Sequence, residues 1–267
     1  MQHTGTMSLA VDNVCQGGRV QQVIAIVNHK GGVGKTTSAI NIAACWGEMG
    51  KRVLVIDLDP QGSASLSFGI DDDGSALLRA LQQTSSLPVL STRAGGVDLV
   101  PAGRGLAEAR QRFAGYAGRE LLMRCLRHTE GSWDFVIADC PPSLGILTMN
   151  ALKASPHVVI PVEANYLSYV GLMQMMEAVN LFRSENPALS VSAILPCRAQ
   201  MRRRIHSEFL AKMEELLPGG IGPTVRENVS LAEAPRSGLP AVLYSPHSHG
   251  AHDYRQVAQW LLYRIGS

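Results

Sequence analysis

The chain has 267 residues, of which 46% are apolar and 17% charged, and its formal net charge is +2. This composition is typical of a globular protein and excludes an intrinsically disordered chain. The weak net charge means that any polyanion must be bound by a local cluster of Lys and Arg. No run approaches the roughly 18–20 apolar residues that cross a bilayer, so we expect no membrane partner. Residues 1–21 are polar and lack the pattern of a secretory signal; we expect a disordered tail there and one domain over 22–267.

The cysteines are scattered along the chain and form no C-x-x-C pair. They are Cys15, Cys45, Cys125, Cys140 and Cys197. This spacing argues against a disulfide framework and a tetrahedral zinc site, and it weakens an iron–sulfur interpretation. We therefore expect a protein of the reducing cytoplasm.

Short β-rich apolar runs alternate with longer helical stretches. The predicted strands are Val23–Val27, Val53–Asp57, Val97–Pro101, Phe135–Asp139, Val158–Val162 and Val191–Leu195. The predicted helices lie near Thr36–Met49, Glu120–Thr129, Gly171–Arg183 and Ile205–Leu217. This pattern predicts a single α/β domain with a mostly parallel sheet covered by helices on both faces. The less regular segment 69–118 is expected to carry short helices on the flank of the sheet.

The first predicted strand leads into a glycine-rich loop and then directly into a helix. Glycines let backbone N–H groups turn toward an anion, and the helix dipole adds about half a positive charge there. Lys35 is placed to reach the β- and γ-phosphates of a nucleotide, and the Thr36 hydroxyl to bind Mg²⁺. His29 stands where the ordinary P-loop has Gly, so the match is to the deviant form of the motif. The predicted phosphate-binding residues are Lys30, Gly31, Gly32, Val33, Gly34, Lys35, Thr36 and Thr37.

Three carboxylates end predicted strands. Asp57 and Asp59 follow the second strand, and in a parallel sheet they would lie beside the P-loop. Asp139 ends another apolar strand in the Walker B arrangement, in which the carboxylate holds Mg²⁺ or its waters. The paired prolines Pro141 and Pro142 then fix a rigid turn where a γ-phosphate sensor would lie. Thr36 and Asp139 therefore predict a metal site beside the P-loop.

Taken together, these motifs resemble the ParA/Soj family of partition ATPases, within the wider ParA/MinD class of deviant Walker ATPases. The resemblance runs from about Gln22 to Arg264. Beyond the P-loop it rests on the blocks 55–62 (VIDLDPQG), 139–145 (DCPPSLG), 159–162 (VIPV) and 227–235 (ENVSLAEAP). The last blocks are a family pattern and not a general P-loop feature.

The resemblance implies that ATP and Mg²⁺ are the cofactors and that two ATP-bound protomers form a face-to-face homodimer. Lys30 is similar to the family's signature lysine, which reaches the partner's phosphates, and Gly31 allows the close approach of the two loops. Asp59 corresponds to the carboxylate that orients the attacking water, and Asp57 supports the Mg²⁺ shell. Lys30, Lys35 and Asp59 are thus the expected catalytic residues. Hydrolysis is expected to be slow until a ParB-like protein stimulates it.

The same resemblance suggests non-specific binding of double-stranded DNA and a nucleoid-associated protein in the cytoplasm. Arginines of the family in two regions contact DNA, and the Arg fork matches phosphate bidentately. The candidates here are Arg198, Arg202, Arg203, Arg204 and Arg226. A solvated basic helix start is the alternative explanation for the cluster.

One departure concerns the segment before the first arginine, where relatives carry a short acidic or polar loop and this chain has Pro196 and Cys197 before Arg198. The DNA contacts at this strand end therefore stay open. Adenine recognition is expected near Pro161, Arg226 and Asn228.

Two other functions are compatible with parts of the sequence. A MinD-like membrane-associated positioning ATPase would use a basic amphipathic C-terminal helix, but the last segment, Tyr254–Ile265, is expected to pack against the domain. An iron–sulfur reductase would need a cysteine pair near a dimer axis, and Cys140 does not match that spacing. The cargo, whether chromosome, plasmid or protein assembly, is not encoded in these motifs.

Overall fold

A computed structural model describes residues 20–113, 115–163, 166–199 and 204–266. These residues build one seven-stranded sheet with the order β3-β4-β2-β5-β1-β6-β7. The strands are β1 (Val20–Ile26), β2 (Val53–Asp57), β3 (Leu90–Ser91), β4 (Val97–Val100), β5 (Trp133–Asp139), β6 (His157–Glu163) and β7 (Ser190–Cys197). All neighbours pair in parallel except β3, which is antiparallel to β4. The predicted α/β class and mostly parallel sheet are confirmed.

Helices follow most strands and cover both faces of the sheet. They are α1 (Lys35–Glu48), α2 (Ser63–Ser67), α3 (Ser75–Gln83), α4 (Ala109–Arg112), α5 (Leu121–His128), α6 (Ile146–Ala154), α7 (Tyr166–Phe182), α8 (Arg204–Leu216), α9 (Val229–Glu233), α10 (Ala241–Tyr244) and α11 (His249–Ile265). The four predicted helices correspond to α1, α5, α7 and α8, with ends shifted by a few residues.

Successive residues of each central strand point to opposite faces, and both faces are buried. In β1, Val23 and Ala25 join the core beneath α3 and α5–α8, whereas Ile24 and Ile26 join the core beneath α1, α10 and α11. This double burial explains why the strands are continuous apolar runs and do not alternate with polar residues.

The irregular segment 69–118 contains the short helices α3 and α4, as the sequence predicted, and an edge strand that it did not. Strand β3 has only Leu90 and Ser91, and both are exposed. Two residues are too few to produce a period-2 pattern, so such an edge strand leaves no signal in the sequence.

The last helix packs its apolar side onto the sheet, as predicted for Tyr254–Ile265. Val257, Leu261 and Ile265 are almost fully buried, and the buried Trp46 of α1 donates its indole N–H to the Ala258 carbonyl at 2.9 Å. In the part of the chain that the structure describes, no helix has the length and apolar character needed to span a bilayer.

The packing of α11 can be tested with Leu261→Ala. The side chain is 1% exposed, so its loss should lower the free energy of unfolding by about 3 kcal/mol. Urea denaturation measures this change. Tyr263→Ala is the matched control, because this neighbour is 85% exposed and its loss should cost less than about 0.5 kcal/mol. If Leu261→Ala keeps wild-type stability and instead weakens binding to anionic liposomes, the helix does not belong to the core.

Candidate functional site: a nucleotide cleft

The central strands bring the predicted acidic residues to one edge of the sheet. The parallel register pairs Ile26 of β1 with Asp139 of β5, and Asp139 with Asp57 of β2. Because parallel strands run in the same direction, their carboxyl ends and the loops that follow share an edge. The P-loop after β1 therefore lies beside Asp57, Asp59 and Asp139.

The P-loop backbone adopts angles that require glycine. Gly32 and Gly34 have φ values of +74° and +100°, which side-chain-bearing residues rarely adopt. Gly34 is the N-cap of α1, and neither a capping side chain nor an acidic residue occupies the first turn. The first N–H groups of α1 are thus available to an anion, and Val33, which is 1% exposed, anchors the loop in the core.

Lys35 points back over the loop. Its Nζ donates a hydrogen bond to the Lys30 carbonyl at 3.0 Å, and the side chain is largely buried. Burial lowers the pKa of Lys35, and the nearby Asp139 carboxylate opposes that shift. The ammonium group is therefore held close to the anion site and to a buried acid.

The Asp57 carboxylate is hydrogen-bonded within its own turn. Its oxygens accept hydrogen bonds from the Ser65 N–H at 2.9 Å, the Ser65 hydroxyl at 2.8 Å and the Asp59 N–H at 3.1 Å. Burial raises the pKa of Asp57 to about 6, although these hydrogen bonds partly oppose the shift. Asp57 therefore fixes the turn that leads from β2 into α2.

Asp139 is fully buried, and neither of its carboxylate oxygens has a hydrogen-bond partner among the described residues. Burial and the neighbouring Asp57 raise its pKa well above the usual range. The Thr36 hydroxyl and Lys35 lower it, but the hydroxyl falls short of hydrogen-bonding geometry. A buried acceptor without a partner is costly, and a hard cation with oxygen ligands is what this arrangement fits.

Asp59 differs from the other two acids because it lines the cleft and is half-buried. One of its oxygens accepts the Gln61 N–H at 2.9 Å. Among the described residues this is the single hydrogen bond to the Asp59 carboxylate, compared with three for Asp57. Asp59 is thus the acid of the pair that can act on a ligand or a water in the cleft.

Unlike Lys35, Lys30 contacts residues outside the P-loop. Its Nζ forms an ion pair with Glu163 at the end of β6 at 2.9 Å and contacts the Ser168 hydroxyl of α7 at 3.4 Å. The lysine side chain is 44% exposed. In the single protomer the predicted signature lysine is therefore held by its own chain.

The P-loop and Asp59 form one end of a cleft of about 600 Å³. The other end is lined by Val225, Arg226, Asn228 and Leu231, with Tyr254 of α11 nearby. Asn228 also caps α9, because its side-chain oxygen accepts the Ser230 N–H at 3.0 Å. Of the residues expected near adenine, Arg226 and Asn228 line this cleft. Pro161 does not: it lies within β6, and its carbonyl accepts the Asn28 side-chain amide at 2.8 Å.

Two of the arginines expected to contact DNA, Arg198 and Arg226, have carboxylate partners. Arg226 forms a bidentate ion pair with Asp253, at 2.6 Å for the shorter contact. Arg198, at a φ of +51°, approaches the Gly32 carbonyl at 3.4 Å and Glu227 at 3.5 Å and lines the cleft. Arg204 is the first residue of α8, and Arg202 and Arg203 lie outside the described residues.

Several contacts of the site gave no sequence signal. Ser65, Glu163, Asp253 and Tyr254 are brought to it by distant segments of the chain. A polar residue in a helix or at a strand end is usually a solvated surface residue, so its contact with a site becomes visible only in three dimensions.

The described cysteines are free and buried, and Cys197 lines the cleft beside Gly34. Burial raises the pKa of Cys197 to about 12, so it is a thiol at neutral pH and a poor nucleophile or metal ligand. Burial likewise raises the pKa of Cys140 well above its usual value. No group of three or more His, Cys, Asp or Glu side chains in metal-binding arrangement occurs in the described ranges.

This chain is similar to known proteins in both sequence and fold. The family described as an AAA domain matches residues 21–191. The sporulation initiation inhibitor protein Soj of Bacillus subtilis is 37% identical, covering 89% of this chain and 97% of its own. The chromosome-partitioning ATPase Soj of Thermus thermophilus is also 37% identical, covering 91% of this chain and 96% of its own.

A solved structure shares the fold. Cobyrinic acid a,c-diamide synthase from Mycobacterium smegmatis, with bound ADP and magnesium, is 29% identical with a TM-score of 0.77, over 92% of this chain and 97% of that one. Since the two Soj relatives match almost end to end, the P-loop chain described above belongs to the ParA/Soj family of partition ATPases.

Proposed function

We propose that this chain is an ATP-hydrolysing switch that dimerises on binding ATP and Mg²⁺, binds DNA without sequence preference and positions a cargo such as a chromosome or plasmid. A ParB-like partner would stimulate its slow hydrolysis. The observation that carries the ATPase part is the buried, unpartnered Asp139 carboxylate beside Thr36 and Lys35 at the mouth of a glycine-rich loop. Residues 22–267 would form the ATPase domain; Val20 and Gln21 of the predicted tail begin β1, and 1–19 lie outside the described residues.

Phosphate binding would use the N-terminal N–H groups of α1 and the Lys35 ammonium. Mg²⁺ would be held by the Thr36 hydroxyl and Asp139, with Asp57 supporting its water shell, and would neutralise charge on the phosphates. Lys35 lies between the loop carbonyl and Asp139, so a bound phosphate would replace the Lys30 carbonyl as its partner.

Orientation of the attacking water is assigned to Asp59. Asp57 has its oxygens engaged by Ser65 and by the Asp59 N–H, whereas Asp59 lines the cleft. A carboxylate within reach of the water can orient it and accept its proton. Asp59 and the P-loop line the same cleft, which supports this role.

Dimerisation would bring a second protomer against the P-loop face. Gly31 and Gly32 are exposed there, and a Cβ at Gly31 would meet no atom within 4 Å. The openness of this loop within its own protomer is compatible with a close approach of a second loop. Lys30 would leave Glu163 to reach the partner's phosphates.

The DNA part of the proposal rests mainly on the arginines of 202–204. Arg198 and Arg226 already have carboxylate partners, so they have less charge to offer a phosphate. A MinD-like membrane function would need the apolar side of α11, and Val257 and Leu261 there are buried.

Asp59→Ala should stop turnover while leaving ATP binding intact, because only the orientation of water is lost. We expect the hydrolysis rate to fall by on the order of 10²-fold or more with an unchanged Kd for ATP. Lys35→Ala is the comparison, since it removes the charge that faces the phosphates and should abolish binding itself. Normal turnover by Asp59→Ala would show that another group orients the water.

Gly31→Val should permit ATP binding but prevent the ATP-dependent dimer. Within one protomer the added side chain has space, so an intact fold with wild-type ATP affinity is expected. Light scattering with ATP and Mg²⁺ measures the mass. An ATP-dependent dimer of normal stability would contradict the face-to-face arrangement.

Arg202→Glu combined with Arg203→Glu should nearly abolish DNA binding by the ATP-bound dimer. If each of these arginines neutralises one phosphate per protomer, the slope of log K against log[salt] should be roughly −3.6 for wild type, an affinity loss of about 150-fold between 50 and 200 mM salt. Arg79→Glu in α3 combined with Arg110→Glu in α4 is the control, since it makes the same charge change at two exposed positions. The double variant retaining the wild-type salt slope would place the DNA surface elsewhere.

A further inference from the structure

A buried acid of the last helix lies against the wall of the cleft. The Asp253 side chain in α11 is only 3% exposed. A buried carboxylate is unfavourable unless it is paired, and here its hydrogen bonds among the described residues all come from Arg226. Its oxygens accept the Arg226 backbone N–H at 2.9 Å, Nε at 2.9 and 3.2 Å, and Nη2 at 2.6 Å.

Asp253 thus holds both the backbone and the side chain of a residue that lines the cleft. On its other side, the segment containing Arg226 is tied to the end of β7. The Val225 N–H donates to the Pro196 carbonyl at 2.8 Å, and the Ala199 N–H donates to the Val225 carbonyl at 3.2 Å. The segment 225–228, which we call the base wall, is therefore fixed from β7 on one side and from α11 on the other.

The next residue of α11, Tyr254, connects the cleft to α1. Tyr254 lines the cleft, and its hydroxyl lies 3.1 Å from the Ser38 hydroxyl in α1, the helix that begins at the P-loop. Two consecutive residues of one helix therefore contact both the base wall and the phosphate-binding helix.

The phosphates would occupy the P-loop end of the cleft, so the nucleoside of ATP would extend toward the base wall. Apolar Val225, Leu231 and Pro235 line that end and suit the faces of a base. The position of the base wall therefore decides how well the nucleoside is held.

We propose that Asp253 is a positioning residue for nucleotide binding, which acts through Arg226 to hold the base wall against the nucleoside of ATP. Arg226 then serves the nucleotide cleft and not a DNA surface. The inference rests on the proposed binding of ATP. We expect Asp253 to affect the affinity for ATP and not the rate of hydrolysis, because Lys35, Asp59 and Asp139 belong to other elements.

The test compares Asp253→Ala with the wild type, using ATP and Mg²⁺ as the ligand. We expect the Kd from calorimetry and the KM for hydrolysis to rise about tenfold, with kcat within about twofold. Asp253→Asn is the milder second variant, because an amide oxygen can still accept the Arg226 N–H; it should give a smaller rise in KM.

Arg255→Ala is the matched control for loosening of α11. Arg255 lies two residues further along the same helix and forms an ion pair with Glu48 of α1 at 2.9 Å, and neither residue lines the cleft. Its removal should lower the melting temperature without raising KM. A rise in KM equal to that of Asp253→Ala would overturn the inference, since it would reflect a general loss of helix packing.

A double-mutant cycle with Arg226→Ala completes the test. If Asp253 acts through Arg226, the double variant should bind ATP no more weakly than the worse single variant, so the two effects do not multiply. Effects that multiply, an Asp253→Ala variant with wild-type KM, or an Arg226→Ala variant that loses DNA affinity at unchanged KM would each contradict it. Wild-type protein that fails to bind ATP, or Lys35→Ala that binds it normally, would instead refute the proposed ATPase site.

Discussion

The burial of the Asp139 carboxylate is the constraint on which the rest of the site depends. Parallel pairing of β5 with β2 places it level with Asp57, so two acids share one low-dielectric edge of the sheet. Asp57 is stabilised by three hydrogen bonds from its own turn, whereas Asp139 has none among the described residues. An uncompensated buried acid is costly, and folding tolerates it here because Lys35 and Thr36 stand beside it. The buried Asp139 carboxylate without a hydrogen-bond partner therefore favours the binding of a cation at this edge of the sheet.

Much of the fold was predictable because its main features repeat along the chain. Continuous apolar strands require both faces of the sheet to be buried, and the glycine-rich loop can adopt its positive φ angles only with glycine at 32 and 34. The positions of Asp57 and Asp139 at strand ends were predictable as well, because each residue directly follows a continuous apolar run. By contrast, the two-residue strand β3 has no periodicity. The Arg226–Asp253 pair joins positions 27 residues apart, and no local pattern announces such a pair.

Charge alone was a weak guide to the role of each arginine. Arg198 begins the basic run 198–204 and Arg226 directly precedes the block 227–235, yet each faces a carboxylate in the structure. The acids that neutralise them, Glu227 and Asp253, could not be matched to them without the fold. The net positive field that remains for a polyanion is therefore smaller than the count of arginines indicates.

The ion pair between Lys30 and Glu163 has a consequence for how two protomers would associate. Both side chains are partly exposed, at 44% and 31%, and such pairs contribute at most about 1 kcal/mol. In the proposed dimer the lysine would exchange this weak counterion for a partner's phosphate in a site closed to solvent. The weak ion pair would cost little to break, so the gain on association would depend on the nucleotide across the interface. Glu163 would then hold Lys30 only until the dimer forms, and the strength of this ion pair would set how readily one subunit releases its lysine to the other.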